Sequence, residues 1–466
     1  LQNMSLSNDD STASKRILIL GAGRSSTYLI DYLAKIAPER NWTVIVGDME
    51  LAPAQRRTEM YPHVEAVLFD VFDQKQREMQ VSQADVVISM LPAIYHIHVA
   101  RACMRFGKHL LTASYISSEI RELNIEATRK NLLILMECGL DPGLDHMSAM
   151  RIIDRVHDQG GKVSLLRSWC GGQICEPHDD NPWHYKFTWN PRNLIVSGQS
   201  MVKFLERGRY KFIPAHQVFA RTERINIRGF GDMEGYGNRD SLNYREAYKL
   251  PEAKTLLRGT LRPTGFCEAW QILARIGLTD AVHRIENSEN LTYREWVQLF
   301  IAGGSPLSLA EQVADYLNVD INSEAMRKVL WLGIFSDEKI ELPNATSAEI
   351  LQKLLEKKWR LLPDEKDVIA IHHECEYESN GEHRRLVSSL MVKGENAMRT
   401  AMAKTVGYPL AVAVRLLLEG KINVRGVQIP VMREIYEPVL AELEQLGLTF
   451  HEEETSVEGN LAATHV

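Results

Sequence analysis

Unbroken apolar runs recur through the first 140 residues of this chain. Ile17–Leu20, Val44–Val46, Ala66–Phe69 and Val86–Ile88 are short and contain no polar residue. The first of these, four aliphatic residues in a row, suits a strand buried on both faces, as in a parallel sheet. After the first run, Leu29, Leu33 and Ile36 share one face of a helix. A strand over Ala84–Leu91, stopped by Pro92, comes next, then a helix over about Tyr95–Phe106. A strand over Lys108–Ser114, a helix over Ser118–Lys130 and a strand over Leu132–Glu137 complete the series. Strands alternating with helices predict an α/β fold with a Rossmann-like doubly wound parallel sheet.

From Lys162 the rhythm changes. Strands are expected over Lys162–Cys170, His216–Arg228, Asp367–Tyr377 and Arg384–Lys393. The last two flank Asn380-Gly381, a strong two-residue turn signal, and should form an antiparallel hairpin. Between Arg284 and Leu362 the spacing is helical, and Thr346 and Glu349 stand at capping-box distance ahead of Ile350, Leu354 and Leu355. This block reads as a helical insertion in a mixed α/β domain. Ala397–Gly420 is helical again. Cys170–Trp189, rich in Gly, Pro, His and aromatics, reads as a long loop. Leu1–Ser14, polar and aperiodic, and the acidic tail after Phe450 are expected to be mobile.

Composition narrows the function classes. A net charge of −7 argues against a general nucleic-acid or anionic-membrane surface. An anionic ligand would need a locally basic pocket. The six cysteines are scattered, as reduced thiols of a cytoplasmic enzyme would be, and no zinc spacing is visible, so no metal is expected. The apolar run Leu410–Leu418 contains Arg415 and is too short to span a bilayer. No signal-peptide pattern is seen.

Candidate chemistry starts at the first strand. Gly21 and Gly23 follow it directly, allowing a tight turn and close approach of a pyrophosphate to the backbone at the next helix N-terminus. A third glycine is replaced by Ser26, after Arg24 and Ser25. The second strand ends at Asp48, where an acid can meet the ribose hydroxyls of NAD. Met49 stands where NADP-using proteins place an arginine, so NAD is the expected preference. NADP stays possible through Arg56 and Arg57. In doubly wound sheets ligands sit beyond the carboxyl ends of the strands. That rule selects Asp70, Val71, Met90, Leu91, Ser114, Tyr115 and the bend Gly139–His146, with Leu140 and Asp141 in it. Arg239 and Arg262 each stand in a glycine-bearing segment read as a loop, and arginine grips carboxylates bidentately. His96 and His98 face different sides of their helix, and His372 and His373 opposite faces of a strand, so neither pair suits a shared ligand.

Several segments occur together in one order: Val87–Pro92, Thr112–Tyr115, Gly139–His146, Cys170-Gly171-Gly172, Asp180-Asn181-Pro182, Tyr185–Trp189, Asn238–Ser241, Arg258–Arg262, Trp331-Leu332-Gly333 and Ala401–Gly407. In these the chain resembles glutamate-forming saccharopine dehydrogenase, over about Arg16–Gly447. The resemblance implies a cofactor domain of residues 15–145 completed by 395–450. It also implies an α/β substrate and dimerisation domain of 146–283 and 363–394, and a helical domain of 284–362. It further implies a homodimer and a substrate site of Ser114, Tyr115, Asp141, Arg239, Thr260, Leu261 and Arg262. Thr188 matches a family serine near the cofactor, and Asp141 is the candidate for contacting the reacting nitrogen. The glycine loop and the Gln173–Pro177 segment depart from the family pattern. The implied reaction is NAD(P)-dependent cleavage of saccharopine to L-glutamate and 2-aminoadipate 6-semialdehyde, or its reverse, in lysine metabolism. A carboxy(nor)spermidine dehydrogenase-like reductive amination and a non-catalytic NAD-binding regulator are the alternatives.

Overall fold

The computed structural model describes residues 14–303 and 305–456. They form two compact units, 14–151 with 402–449, and 152–401 with 450–456. The expected mobility of the first residues falls almost wholly outside the described chain.

Strands are numbered in chain order. The first unit carries β1 (Lys15–Leu20), β2 (Trp42–Asp48), β3 (Glu65–Leu68), β4 (Val86–Ser89), β5 (His109–Thr112), β6 (Leu133–Leu135) and, from the C-terminal part, β15 (Gly426–Gln428). Their order is β15-β6-β5-β4-β1-β2-β3, and every pairing is parallel. The order reverses between β1 and β4, which is where such sheets bind ligands at their carboxyl edge. Ile17–Leu20 and Val44–Val46 are fully or almost fully buried, whereas β3 lies at the edge of the sheet with Leu68 54% exposed. Helices α1 (Thr27–Ile36), α2 (Leu51–Thr58), α3 (Gln74–Gln83) and α4 (His96–Phe106) follow the first four strands. The expected helix over Ser118–Lys130 is two short ones, Ser118–Glu122 and Asn124–Arg129. The helix Ala401–Leu418 is long and apolar enough to cross a membrane, but 67% of it is buried within the protein. Its length exceeds the expectation from Leu410–Leu418 because Ala401–Pro409 continues the same helix.

The second unit holds a nine-stranded mixed sheet: β7 (Lys162–Ile174), β8 (Val202–Glu206), β9 (Arg209–Ile213), β10 (Glu223–Ile227), β11 (Gly231–Gly237), β12 (Thr255–Pro263), β13 (Asp367–Ser379), β14 (Glu382–Lys393) and β16 (His451–Ser456). The main path is β10-β11-β12-β7-β13-β14-β16. β13 and β14 pair antiparallel with Ser379 opposite Glu382, and Asn380 and Gly381 between them have φ of 54° and 77°. Positive φ at both central residues matches the twist of the hairpin.

Four expectations are corrected here. The run Cys170-Gly171-Gly172 is not the start of a loop; β7 continues through it to Ile174. Its glycines serve packing, since a Cβ on Gly171 would lie 2.2 Å from the Leu261 carbonyl oxygen of the neighbouring strand. Arg258–Arg262 likewise is strand, not loop. His216–Arg228 divides into a 3₁₀ turn over Ala215–Ala220 and β10, with Arg221 and Thr222 between them. The acidic tail forms β16, paired with β14 from Arg384–Ser456 to Ser389–His451. Its acids meet basic partners, Arg155 with Glu452 at 2.7 Å and Arg228 with Glu453, so its charge favours the edge position.

The 284–362 helices Tyr293–Gln298, Leu309–Leu317, Glu324–Leu332 and Ser347–Lys358 share one hydrophobic core with Trp183, Phe266 and Trp270. The Thr346–Glu349 capping box is formed, with the Glu349 amide donating to Thr346 Oγ1 at 3.2 Å and the Thr346 amide donating to the Glu349 carboxylate at 2.7 Å.

Candidate active site

In the first unit the residues expected to contact a dinucleotide lie at the carboxyl ends of β1 to β6. Gly21 has a φ of +105°, and a Cβ there would stand 3.0 Å from the Met90 carbonyl carbon and oxygen. The turn therefore needs glycine, and its backbone stays open to a phosphate. Arg24–Ser26 forms a 3₁₀ turn leading into α1. Ser26 is buried and donates to the Gly23 carbonyl at 2.8 Å, taking the place of the missing third glycine. Asp48 accepts from the Ala22 amide at 2.7 Å and from the Glu50 amide at 3.1 Å, tying the end of β2 to the glycine loop. Arg57, on α2, donates to the Gly23 carbonyl at 3.2 Å. Burial, and then the like charge of Arg56, pull its guanidinium below the usual range. Met49 is 68% exposed. Asp70 closes its own turn by accepting from the Phe72 amide at 2.8 Å, and Val71 is buried beside it. Met90 follows β4, its amide bonded to the Leu20 carbonyl. Leu91 packs against the core. These residues fit a dinucleotide: a glycine turn, a helix start and a strand-end acid surround one edge.

Further along the same edge, the Tyr115 hydroxyl donates to Asp141 Oδ1 at 2.9 Å. The bend around Leu140 and Asp141 is tight: the Gly139 amide donates to the Pro142 carbonyl at 3.0 Å. Glu137 and His146 bracket it, with Glu137 Oε2 2.9 Å from His146 Nε2, and both are buried. Glu137 Oε1 accepts from the Ile116 amide at 3.1 Å. Periodicity gave no sign of this pair.

His96 was also missed. It opens α4, is buried, and lies 2.8 Å through Nδ1 from Ser89 Oγ and 2.8 Å through Nε2 from Ser114 Oγ. Thr112 Oγ1 lies 3.1 Å from the same Nε2. Burial holds its pKa down at about 4, so the ring is neutral at physiological pH. Its partners lie at strand ends, not along its own helix beside His98.

In the second unit Arg262 lies on β12 and is buried, its guanidinium 5.5 Å from the Tyr185 ring centre and 5.4 Å from that of Phe266. Its Nε has no hydrogen-bond partner, and no carboxylate pairs with it among the described residues. Burial opposes its charge, but the Tyr236 and Tyr185 hydroxyls hold its pKa above the usual value. Thr260 shares its face, two residues away. Leu261 points to the opposite face and packs with Trp169, Ile225 and Met233, so the strand does not bring its side chain to Thr260 and Arg262. Arg239 has a φ of 53° in the segment after β11 and is exposed. Asn238 bonds to the Arg258 carbonyl, so Arg239 lies beyond that end of the pair. Arg239 and Arg262 are therefore separated by roughly 13–17 Å of strand. They suit separate carboxylates of one long ligand. Thr188 is buried after the Tyr185–Phe187 aromatics.

Two family models match: the saccharopine dehydrogenase NADP binding domain over residues 17–135 and the saccharopine dehydrogenase C-terminal domain over 139–448. The chain belongs to the saccharopine dehydrogenase family. It is 31% identical over 442 residues to saccharopine dehydrogenase [NADP(+), L-glutamate-forming] of Pyricularia oryzae, covering 93% of this chain and 97% of that one. The enzyme of the same name from Saccharomyces cerevisiae is 31% identical over 92% of this chain and 96% of its own. The alpha-aminoadipic semialdehyde synthase of Arabidopsis thaliana is 33% identical over 95% of this chain, which spans 45% of that longer protein. The solved structure of apo histidine-tagged saccharopine dehydrogenase (L-Glu forming) from S. cerevisiae matches with a TM-score of 0.84 at 30% identity, covering 95% of this chain and all of that one. The names of the fungal relatives specify NADP(+), and they do not support the NAD preference expected from Asp48 and Met49.

Proposed function

We propose that this chain is a nicotinamide-dependent oxidoreductase that cleaves saccharopine to L-glutamate and 2-aminoadipate 6-semialdehyde, or condenses them in reverse, in lysine metabolism. The observation that carries this is likeness over nearly full length to a glutamate-forming saccharopine dehydrogenase. The buried Arg262, with no carboxylate partner among the described residues, supports it chemically. Saccharopine brings three carboxylates, and a desolvated guanidinium gains most from such a partner. A polyamine would bring cations to the same guanidinium, which disfavours the carboxy(nor)spermidine alternative.

A bound nicotinamide would supply the hydride acceptor for the carbon beside the substrate's secondary amine. The chain's own residues bind and orient. In the second unit Arg262 and Arg239 are offered to separate carboxylates, with the Thr260 hydroxyl on the face of Arg262; in the first unit Ser114 offers a hydroxyl. Asp141, fixed by Tyr115, is the candidate for contact with the substrate nitrogen and its proton. Tyr115 engages one carboxylate oxygen and so orients the group.

NADP is the better reading of the cofactor. Both Asp48 oxygens already accept backbone N–H bonds, and Arg57 stands at the glycine loop with Arg56 repelling it. A 2′-phosphate would relieve that repulsion and can offset its own repulsion from Asp48. For quaternary structure we propose a homodimer through the mixed-sheet unit, which light scattering tests. The activity is tested by following NADPH and NADH oxidation by the purified protein with glutamate plus the semialdehyde, beside polyamine substrates. Turnover only with a polyamine would overturn the proposal.

A further inference from the structure

The Ser89–His96–Ser114 chain has a direction. Ser89 is fully buried, and the imidazole Nδ1 is the only side-chain hydrogen-bond partner of its hydroxyl among the described residues. A buried hydroxyl with one available acceptor gives its proton to it. Nδ1 is then bare and the ring proton is on Nε2. That N–H faces Ser114 Oγ at 2.8 Å and Thr112 Oγ1 at 3.1 Å, and both oxygens accept from it. Thr112 Oγ1 also accepts from the Ser114 amide at 3.3 Å. This arrangement leaves one buried hydroxyl proton, that of Thr112, without an acceptor. The other tautomer leaves the Ser89 proton without one and sets two hydroxyls on the single Nε2 lone pair, a worse outcome.

We propose that His96 is a positioning residue of the substrate site, donating from Nε2 to Ser114 Oγ so that the Ser114 hydroxyl is held as a donor toward a substrate carboxylate. Ser114 is half-buried, so one side of its oxygen is open to a ligand while His96 fixes the other. The imidazole bridges the ends of two neighbouring strands, Ser89 closing β4 and Thr112 closing β5, and sets the hydroxyl two residues beyond. A rigid ring wedged among three hydroxyls loses little entropy on binding, unlike a flexible amide. The proposal rests on the reading of Ser114 as a substrate ligand.

The test uses the full chain carrying Ser114→Ala, His96→Phe, His96→Gln, His96→Asn and the double change His96→Phe with Ser114→Ala. Saccharopine affinity by calorimetry and the KM-against-kcat split are the readouts. His96→Phe should weaken saccharopine binding about 10-fold, or about 1.4 kcal/mol, with kcat within about 2-fold. His96→Gln, whose amide reaches the Nε2 position, should recover most of it, and His96→Asn, which reaches only toward Ser89, should not. The double variant should bind no worse than Ser114→Ala alone. Nitrogen NMR of the unsubstituted protein should show a bare Nδ1 and a protonated Nε2. Additive losses, equal behaviour of Gln and Asn, or a protonated Nδ1 would overturn the role of His96. If Ser114→Ala alone leaves saccharopine affinity unchanged, the reading of Ser114 fails first and the proposal with it. Should the Phe variant not fold, the Gln and Asn pair decides the matter.

Discussion

The Tyr115 hydroxyl is hydrogen-bonded to Asp141 Oδ1 at 2.9 Å, joining the residue just past β5 to the bend that follows β6. The bond orients the carboxylate proposed to contact the substrate nitrogen. Tyr115→Phe keeps the ring and removes the donor. A hydrogen bond to a charged group contributes ~1.5–3 kcal/mol, so kcat/KM for saccharopine should fall roughly 10- to 100-fold with little change in melting temperature. Asp141→Asn should cost more. An unaltered kcat/KM in Tyr115→Phe would show that Asp141 is positioned without it.

Arg262 should trade stability against binding. Its charge is buried between Tyr185 and Phe266, and among the described residues no ion pair with a carboxylate offsets its desolvation. Arg262→Met should leave the melting temperature unchanged or raise it. Saccharopine affinity should fall roughly 30-fold or more, corresponding to ~2–5 kcal/mol for a desolvated charged pair. Arg262→Lys should not restore it, because an ammonium lacks the planar fork. A destabilised Met variant that still binds saccharopine tightly would contradict this.

Cofactor choice can be read from Arg57 and Asp48 by comparing kcat/KM with NADP and NAD. Arg57→Ala removes the cation at the glycine loop and should lower the NADP-to-NAD ratio by roughly 10-fold, about 1.4 kcal/mol. Asp48→Ala should raise the same ratio by releasing repulsion on the 2′-phosphate. A ratio insensitive to Arg57 would place the phosphate elsewhere.

Acid should destabilise the protein through the buried imidazole of His96 and the half-buried imidazole of His109. His96 and His109 are both held down at about 4 in the folded chain, chiefly by burial, against an ordinary 6.5. Between those values the unfolded chain binds protons that the folded chain refuses, so stability falls as pH drops from about 6.5 to about 4. Each contributes on the order of 3 kcal/mol to that loss. His109 also accepts the Leu133 amide through Nδ1 at 2.9 Å, a bond its protonation would break. His109→Asn keeps an acceptor without a titratable ring and should flatten the melting-temperature profile over this range. A profile as steep as that of the unsubstituted protein would assign the acid sensitivity to other groups.

What the sequence made legible was local. Ile17–Leu20 ahead of Gly21 and Gly23 announces the first parallel strands because burial on both faces permits no polar residue. Asn380-Gly381 announces a hairpin because few other pairs accept positive φ twice. Thr346 and Glu349 announce a helix start because both bonds of the capping box are made within four residues. The misses depend on partners distant in sequence. β16 looks like a solvated tail until Arg155, Arg228 and Arg384 are placed beside its acids. Arg262 looks like a loop residue until β12 runs straight through Gly259, whose missing side chain makes room for Trp169. His96 becomes informative only when Ser89, Thr112 and Ser114 arrive from the ends of different strands.

The strand orders also constrain how the chain is made. A ribosome has polymerised more than 420 residues before β15 exists to lie beside β6, and more still before β16 can cover the edge of β14. During synthesis both sheets therefore carry an open edge, and the edge beside β6 is apolar. Such edges recruit other nascent chains. Depletion of chaperones, or premature stop codons ahead of β15, should consequently yield aggregated protein rather than a shortened active enzyme.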